Sequence, residues 1–230
     1  MRGEHSLATS ALFTSLETED QRQIAQRLQR RTFQRGQIVF REGDPGDMLH
    51  IVTRGHLKAF TNAVTGEKAV VAIFGPGDCF GEIAVIDRGT RWATVEALEQ
   101  VETLSLRGAE FWEILRAEPR MALPLLVVLA GRLRRMTTEV TDLACLDLAG
   151  RLARKLGELA ERHGVRTDDG VAIDLPLTQE DLAAMVGGTR GSVNRALARF
   201  EEAGAIQRLG RQIVVLDAEW LATGPPMRKF

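Results

Sequence analysis

Residues 75–94 (GPGDCFGEIAVIDRGTRWAT) combine groups that could bind an anion. Gly81 lets the backbone come close to a ligand, a short helix predicted from Glu82 to Val85 offers backbone N–H groups, and Arg91 supplies a guanidinium. This combination suits a singly charged phosphate. The same residues also fit a plainer interpretation, a surface ion pair between Glu82 and Arg91 beside a glycine turn.

A second stretch, near the carboxyl end, has the pattern of two capped helices. Thr178 to Asp181 predicts a capping-box start, Gly187-Gly188 predicts a turn, and Thr189 caps a second helix that ends at about Glu202. Residues 206–216 then predict a two-stranded hairpin. Helix, glycine turn, helix and hairpin together indicate a winged helix-turn-helix.

The second of these helices divides into a buried and an exposed face. Its apolar side chains fall on one face (Val193, Leu197, Phe200), whereas Arg190, Gly191, Asn194 and Arg195 are expected toward solvent. In a helix-turn-helix these early positions meet base edges, where a bidentate arginine–guanine pair gives ~1–3 kcal/mol of discrimination. Surrounding arginines add positive charge that suits DNA phosphates. The plainer interpretation is an alanine-rich amphipathic helix pair with surface arginines.

Short apolar stretches separated by glycines surround the first motif, between Thr32 and Leu106. They include Gln37 to Phe40, His50 to Val52, Leu57 to Phe60 and Ala69 to Phe74. Strands of this length and spacing predict an all-β sandwich or barrel, here a β-roll. A short amphipathic helix is predicted before it, around Asp20 to Arg30.

From Pro119 the pattern changes to a long helix. Apolar residues recur alternately three and four apart, at Leu126, Leu129, Leu133, Met136, Val140 and Leu143, and we call this set the heptad seam. The seam predicts a two-chain coiled coil and therefore a homodimer. Pro124 is expected to remove a helical hydrogen bond and to bend the early helix. Asp147 predicts the N-cap of the next helix, with a hinge just before it.

These elements divide the 230-residue chain into three parts. We predict an α+β protein with a sensor domain over residues 1–118, a dimerisation helix and hinge over 119–146, and a DNA-binding domain over 147–230. A length above the usual ~100–150 residues of one domain agrees with this division.

Composition argues against several classes of protein. Cys79 and Cys145 lie far apart without a CxxC motif, which disfavours a disulfide framework, a zinc site or an iron–sulfur centre. A cupin-like metalloenzyme would need clustered histidines, yet only His50 and His56 lie in the predicted barrel. The longest apolar run, Leu123 to Ala130, is far short of the ~20 residues that span a bilayer. We expect a cytoplasmic protein that is not an enzyme and holds no metal.

Both motifs resemble the cyclic AMP receptor and FNR (CRP/FNR) superfamily. Residues 177–215 (LTQEDLAAMVGGTRGSVNRALARFEEAGAIQRLGRQIVV) resemble its DNA-binding domain, and residues 75–94 resemble its phosphate-binding cassette. Residues 41–60 match the strands that lead into that cassette. The resemblance implies a dimeric transcription factor controlled by a cyclic nucleotide, cyclic AMP first among them, that binds a pseudo-palindromic DNA site and acts with RNA polymerase.

The resemblance also implies roles for individual residues. Glu82 would hold the ribose 2′-hydroxyl, Arg190 and Arg195 would contact bases, and Thr189 and Ser192 would contact phosphates. The expected ligand contacts are Gly81, Glu82, Ile83, Arg91, Trp92, Met136 and Thr137. The expected DNA contacts are Thr189, Arg190, Gly191, Ser192, Asn194 and Arg195.

Three places depart from the cyclic AMP receptors. Trp92 stands where serine, threonine or alanine is usual, and Met136-Thr137 stands where a polar pair holds the adenine, which leaves the nucleotide's identity open. Trp92 could stack on a purine, fill its place or turn into the barrel wall, while Met136 could simply continue the seam. Gly191 replaces a usual glutamate, which leaves the DNA consensus open. The alternative is a DNA-binding regulator that is nucleotide-independent or responds to another ligand.

Overall fold

The computed structural model describes residues 24–63 and 66–223. The described residues separate into two compact units, residues 24–61 with 71–136 and residues 62–63 and 66–70 with 137–223. The opening helix expected from Asp20 to Arg30 lies partly outside the described residues. Its described part is helical only over residues 24–27, and Gln29 already begins the first strand, so the predicted end of this helix is wrong.

Residues 29–107 form two four-stranded sheets, which confirms the predicted β-roll. One sheet contains, in spatial order, β1 (Gln29–Phe33), β8 (Val101–Arg107), β3 (Met48–Arg54) and β6 (Cys79–Phe80). The other contains β2 (Ile38–Phe40), β7 (Thr94–Ala97), β4 (Leu57–Asn62) and β5 (Lys68–Phe74). In β3 and β8, which pair antiparallel, Ile51 lies opposite Leu104.

Two short helices pack on these strands. Helix α1 (Glu82–Asp87) follows β6, and α2 (Gly108–Ala117), which the sequence analysis did not assign, follows β8. Phe111 and Ile114 of α2 join the apolar core with Leu49, Ile51 and Leu106. The indole Nε1 of Trp112 donates a hydrogen bond to the carbonyl of Val85 (3.1 Å) and so fixes α1 against α2.

The long helix α3 (Ala122–Cys145) follows a 3-10 turn at Pro119–Met121. It therefore starts three residues later than predicted, and Pro124 falls in its first turn. Amides of the first turn have no acceptor within the helix, so Pro124 removes no helical hydrogen bond and the expected loss of a bond is wrong. The expected bend stays a prediction. Leu129 packs on the core of the first unit, but the other five seam side chains are 59–66% exposed.

The second unit is a winged helix-turn-helix, as predicted. Its helices are α4 (Leu148–His163), α5 (Gln179–Val186), α6 (Arg190–Glu202) and α7 (Ala218–Thr223). Its sheet contains β11 (Ile206–Leu209), β12 (Gln212–Val215), β10 (Val171–Ile173) and β9 (Gly164–Arg166), in that spatial order. Strands β11 and β12 form the wing. Leu152, Leu156, Val193, Leu197 and Phe200 are buried, so the predicted inner face of α6 is confirmed.

The predicted helix caps of this unit are also confirmed. The carboxylate of Asp147 accepts a hydrogen bond from the Gly150 amide (2.8 Å) at the start of α4. Thr178 and Asp181 form a reciprocal capping box at the start of α5. Gly187 ends α5 at φ +62°, a left-handed conformation that favours glycine, and thereby permits the tight turn into α6.

Polar contacts join the last two turns of α3 to α4 within the second unit. The Lys155 ammonium lies 2.7 Å from Oε1 of Glu139 on α3 and 2.6 Å from Oε2 of Glu158 on α4. Arg154 pairs with Asp142. Burial by itself lowers the pKa of Lys155, but the two carboxylates more than offset it and raise the pKa. Side chains of α3, before the predicted hinge, thus pair with side chains of α4, after it.

Candidate functional site

Arg91 is buried beside the start of α1. Its Nη1 donates to the Gly81 carbonyl (2.8 Å), its Nη2 donates to the Met48 carbonyl (2.7 Å), and its guanidinium lies 4.1 Å from the centroid of the Phe40 ring. Only 4% of Arg91 is exposed. Burial lowers the pKa of Arg91, whereas Asp47, Glu82 and Asp44 oppose that shift. The two carbonyls and the Phe40 ring thus hold the guanidinium in place, and its contact with a ligand phosphate stays a prediction.

Gly81 is required at the N-cap of α1 for two reasons. Its φ of +80° is a left-handed conformation, and a Cβ at this position would lie 2.7 Å from Nη1 of Arg91. A larger residue would therefore both strain the backbone and displace the guanidinium. That the Gly81 backbone approaches a bound ligand stays a prediction.

Glu82, the first residue of α1, pairs with a residue of the long helix. Its Oε1 accepts a hydrogen bond from Nη1 of Arg132 on α3, and Nη2 of the same guanidinium donates to the Cys79 carbonyl. Glu82 is 1% exposed. Burial raises the pKa of Glu82, and Arg132 and Arg91 act in the opposite direction. The plainer interpretation of a surface Glu82–Arg91 pair is therefore wrong, because both side chains are buried and the carboxylate pairs with Arg132.

Two buried polar atoms in this cluster remain unsatisfied. Among the described residues, neither Oε2 of Glu82 nor Nε of Arg91 has a hydrogen-bond partner. A buried polar group without a partner costs roughly 1–3 kcal/mol, more when it is charged. Oε2 of Glu82 can accept one hydrogen bond, and the Nε–H group of Arg91 can donate one.

An aromatic cluster lies next to Arg91. His50 stacks on Phe80 with centroids 5.0 Å apart, Phe40 lies 6.3 Å from His50, and Phe74 stacks on Phe80 at 5.2 Å. Burial, followed by the charges of Arg91 and Arg31, lowers the pKa of His50 to about 3. The imidazole is therefore neutral at physiological pH and behaves as a member of the apolar wall.

The remaining predicted ligand residues are more exposed. Ile83 is half-buried on α1, Trp92 is 40% exposed, and Met136 and Thr137 are exposed on α3. The Trp92 indole is thus not packed inside the barrel wall. The contact of Arg132 with Glu82 was not predicted from the sequence. The position of Arg132 one helical turn before Met136, on the same face of α3, was the available signal.

On the DNA-binding unit, Arg190 starts α6 and is exposed. Its Nη1 lies 3.2 Å from Oε1 of Glu180, and its Nε donates to Oε1 of Gln179 (3.4 Å). These two residues of α5 therefore orient the guanidinium at the amino end of α6. Arg195, one turn later, is also exposed.

The prediction that Asn194 faces solvent is wrong. Its Oδ1 accepts hydrogen bonds from Nε2 of Gln179 (2.8 Å) and from Nη1 of Arg208 (3.4 Å), and the residue is partly buried. Arg208, on the wing, also contacts Glu201 through its Nε (2.7 Å). Asn194 thus joins α5, α6 and the wing.

Thr189 and Ser192 form the cap of α6. The Thr189 hydroxyl accepts from the Ser192 amide (3.2 Å), and the Ser192 hydroxyl accepts from the Thr189 amide (3.0 Å). Gly191 between them is exposed, and a Cβ there would meet its nearest atom, Nη1 of Arg195, at an ordinary 3.6 Å. Gly191 is therefore not required for steric reasons.

Comparison with known proteins identifies both domains. Residues 30–118 match the cyclic nucleotide-binding domain, and residues 150–223 match the Crp-like helix-turn-helix domain. The chain is similar to the CRP-like cAMP-activated global transcriptional regulator of Mycobacterium tuberculosis, with 35% identity over 216 residues, 94% of this chain and 96% of that protein. The chain belongs to the CRP/FNR superfamily of transcriptional regulators.

A second relative and a solved structure are also similar to this chain. The cyclic AMP receptor protein of Thermus thermophilus is 31% identical over 201 residues, which cover 87% of this chain and 89% of that protein. The solved structure of the c-di-GMP responsive global regulator CLP of Xanthomonas campestris shares the fold, with a TM-score of 0.75 and 24% identity over 86% of this chain and 99% of that one.

Membership of the CRP/FNR superfamily confirms the predicted class. The chain is a transcription regulator with a cyclic nucleotide-binding domain and a DNA-binding helix-turn-helix, and it is not an enzyme. The cupin-like metalloenzyme is therefore excluded. No helix in the described part of the chain is long and apolar enough to cross a membrane.

Proposed function

We propose that this CRP/FNR regulator is a homodimer that binds a cyclic nucleotide, cyclic AMP first among the candidates, and then binds a pseudo-palindromic DNA site and acts with RNA polymerase. The observation that carries the ligand part is the pair of unsatisfied buried atoms, Oε2 of Glu82 and Nε of Arg91. A ribose hydroxyl would donate to the first, and a phosphate oxygen would accept from the second.

The contact between Glu82 and Arg132 supports a route from ligand to dimer helix. Arg132 on α3 holds one carboxylate oxygen of Glu82 and the Cys79 carbonyl, so a ligand that takes the other oxygen alters the environment of both groups. Helix α3 continues from this point to Cys145. A ligand-dependent change at Glu82 would thus reach the end of the helix that precedes the DNA-binding unit.

The exposed seam supports the dimer. Leu133, Met136, Val140 and Leu143 form an apolar stripe that one chain leaves in solvent. A second α3 helix would bury this stripe by knobs-into-holes packing. At ~25 cal/mol per Å² of buried apolar surface, covering these side chains is strongly favourable.

Two observations support the choice of a cyclic nucleotide while leaving its base open. Two relatives carry cyclic AMP in their names, and the structural neighbour from Xanthomonas campestris is named as responsive to c-di-GMP. The exposed Trp92 offers a surface on which a base can stack, at ~1–3 kcal/mol per base. We infer an altered pose or an altered base preference.

Isothermal titration with cyclic AMP, cyclic GMP and c-di-GMP tests the ligand. We expect one of the three to bind saturably, and Arg91→Ala to abolish binding while sedimentation still shows a dimer. Arg54→Ala removes an exposed arginine at the end of β3 and is the matched control. Retained affinity in Arg91→Ala would contradict the cassette assignment, and no binding by wild type would favour the nucleotide-independent alternative.

DNA binding is tested on a palindrome and on its isolated half-site. A two-fold dimer needs half-sites ~34 Å apart, and its affinity should fall steeply with salt. Arg190→Ala should lower the binding free energy for the best site by ~1–3 kcal/mol and relax the sequence preference at one base pair. Arg199→Ala should weaken binding to all DNA sequences alike. Equal affinity for half-site and palindrome would contradict the dimer.

A further inference from the structure

The DNA-binding unit contains a cavity of about 280 Å³ beside the helix-turn-helix. Its walls come from α4, from the segment before α5, from α5 and α6, and from the wing. The wall side chains are mainly branched apolar ones, among them Leu156, Leu159, Leu175, Leu177, Leu197 and Ile213. An apolar cavity of ~150 Å³ already binds a benzene ring, so this one has room for roughly twice as much hydrocarbon.

The mouth of the cavity differs from its walls because it is cationic. Arg190, Arg208 and Arg211 line it, with Glu180 as the acidic member. Arg190 pairs with Glu180, and Arg208 pairs with Glu201. Arg211 lies exposed in the turn of the wing and has no ion-pair partner among residues 24–63 and 66–223.

A ligand that fits both parts has an apolar chain and one negative charge. A neutral hydrocarbon would make no ion pair with Arg211, and a small anion would make no contact with the leucine side chains. The cavity volume limits the chain to about eight to ten carbons, by comparison with the benzene-sized cavity. The chemical class is therefore a medium-chain fatty carboxylate.

We propose that this cavity is a second effector site for a medium-chain fatty carboxylate, whose carboxylate pairs with Arg211 and whose chain lies among the leucines. Arg190, the expected base-reading residue, lies at the same mouth. A carboxylate bound there competes with DNA for the arginines, so occupancy opposes DNA binding. This site is separate from the cassette and from the nucleotide proposed for it.

Direct binding is measured first, without DNA, by isothermal titration of the full chain with decanoate below its micelle concentration. We expect one decanoate per chain, weaker binding of decanol and weakest binding of decylammonium. Arg211→Glu should lower decanoate affinity at least tenfold. Arg166→Glu, which reverses an exposed arginine on β9 away from the cavity, is the matched control and should change nothing.

A second variant tests the walls. Ile213→Trp adds bulk at the half-buried wing position and should abolish decanoate binding, with circular dichroism and DNA affinity reporting that the unit is folded. In wild type, decanoate should raise the apparent Kd for the palindrome, and in Ile213→Trp it should not. Absence of saturable binding, or equal binding of all three probes unaffected by Arg211→Glu, would overturn the proposal. The binding arm needs no DNA and no nucleotide, so its failure is distinguishable from failure of the proposed function.

Discussion

Nη1 of Arg132 donates a hydrogen bond to Oε1 of Glu82, and this contact joins two residues that lie fifty positions apart in the chain. Glu82 is nearly inaccessible, and the Arg132 side chain is 19% exposed. The Arg132 guanidinium therefore neutralises the charge of the buried Glu82 carboxylate.

Arg132→Met should destabilise the sensor unit by ~3–5 kcal/mol, because it leaves the buried carboxylate of Glu82 without its cation. The double variant Glu82→Gln with Arg132→Met should recover most of that loss, since no charge is then left buried. Urea unfolding of both single variants and the double variant gives the coupling energy. Additive losses would show that the pair is not coupled.

The neutral state of His50 predicts acid sensitivity. Its pKa is about 3 in the folded chain, against ~6.5 in an unfolded one, so between these values the unfolded state binds the extra proton. The stability contribution is fully present above pH 6.5 and is lost as the pH falls toward 3. From pH 7 to pH 5, His50 should account for about 2 kcal/mol of lost stability.

The measurement is urea unfolding at both pH values in wild type and in His50→Phe, which should lose that part of the pH dependence. Thr103→Val is the matched control, because it removes the hydroxyl 3.3 Å from Nδ1 of His50 without removing the titrating ring. It should shift stability equally at both pH values. The same pH dependence in His50→Phe and wild type would contradict the assignment.

Gly191→Glu should change DNA preference without unfolding the unit, because the position is exposed and its Cβ direction is open. A glutamate accepts from cytosine N4, and a good contact of this kind gives ~1–3 kcal/mol of discrimination. Selection from a randomised palindrome should reveal a new cytosine preference at one base pair. Gly191→Ala adds no acceptor and controls for helix propensity, so an identical selected site for both variants would refute the prediction.

Trp92→Ser should weaken nucleotide binding by about tenfold or more, because a stacked base contributes ~1–3 kcal/mol. The indole is accessible to a ligand in the structure. Titration with the same three nucleotides distinguishes the alternatives. A gain of affinity would mean that the indole fills the base position, and no change would mean that it does not take part.

Glu139→Gln should loosen the end of α3 by about 1 kcal/mol, because it removes one of the contacts that join α3 to Lys155 of α4. Glu158→Gln removes the other carboxylate of Lys155, which lies on α4 itself, and is the matched control. Hydrogen exchange of residues 139–146 should rise in the first variant only. Equal exchange in both variants would show that the contact across the hinge does not hold α3.

The sequence by itself determined the local elements. Glycine spacing and short apolar stretches predicted the strands, and the alternation of three and four predicted α3. Asp147, Thr178 and Thr189 marked helix starts that the structure confirms. Each of these signals acts between residues a few positions apart, through side-chain periodicity or a cap hydrogen bond. They also sufficed to reveal the two family motifs.

Only the tertiary structure decided which side chains meet. The contact of Arg132 with Glu82, the bonds that turn Asn194 toward Gln179, and the burial that keeps His50 neutral all join distant segments. Local pattern cannot predict them, because they depend on how helices and strands pack and on which charges lose their water. Arginine at position 132 and asparagine at position 194 are equally compatible with solvent, and only packing assigns them partners.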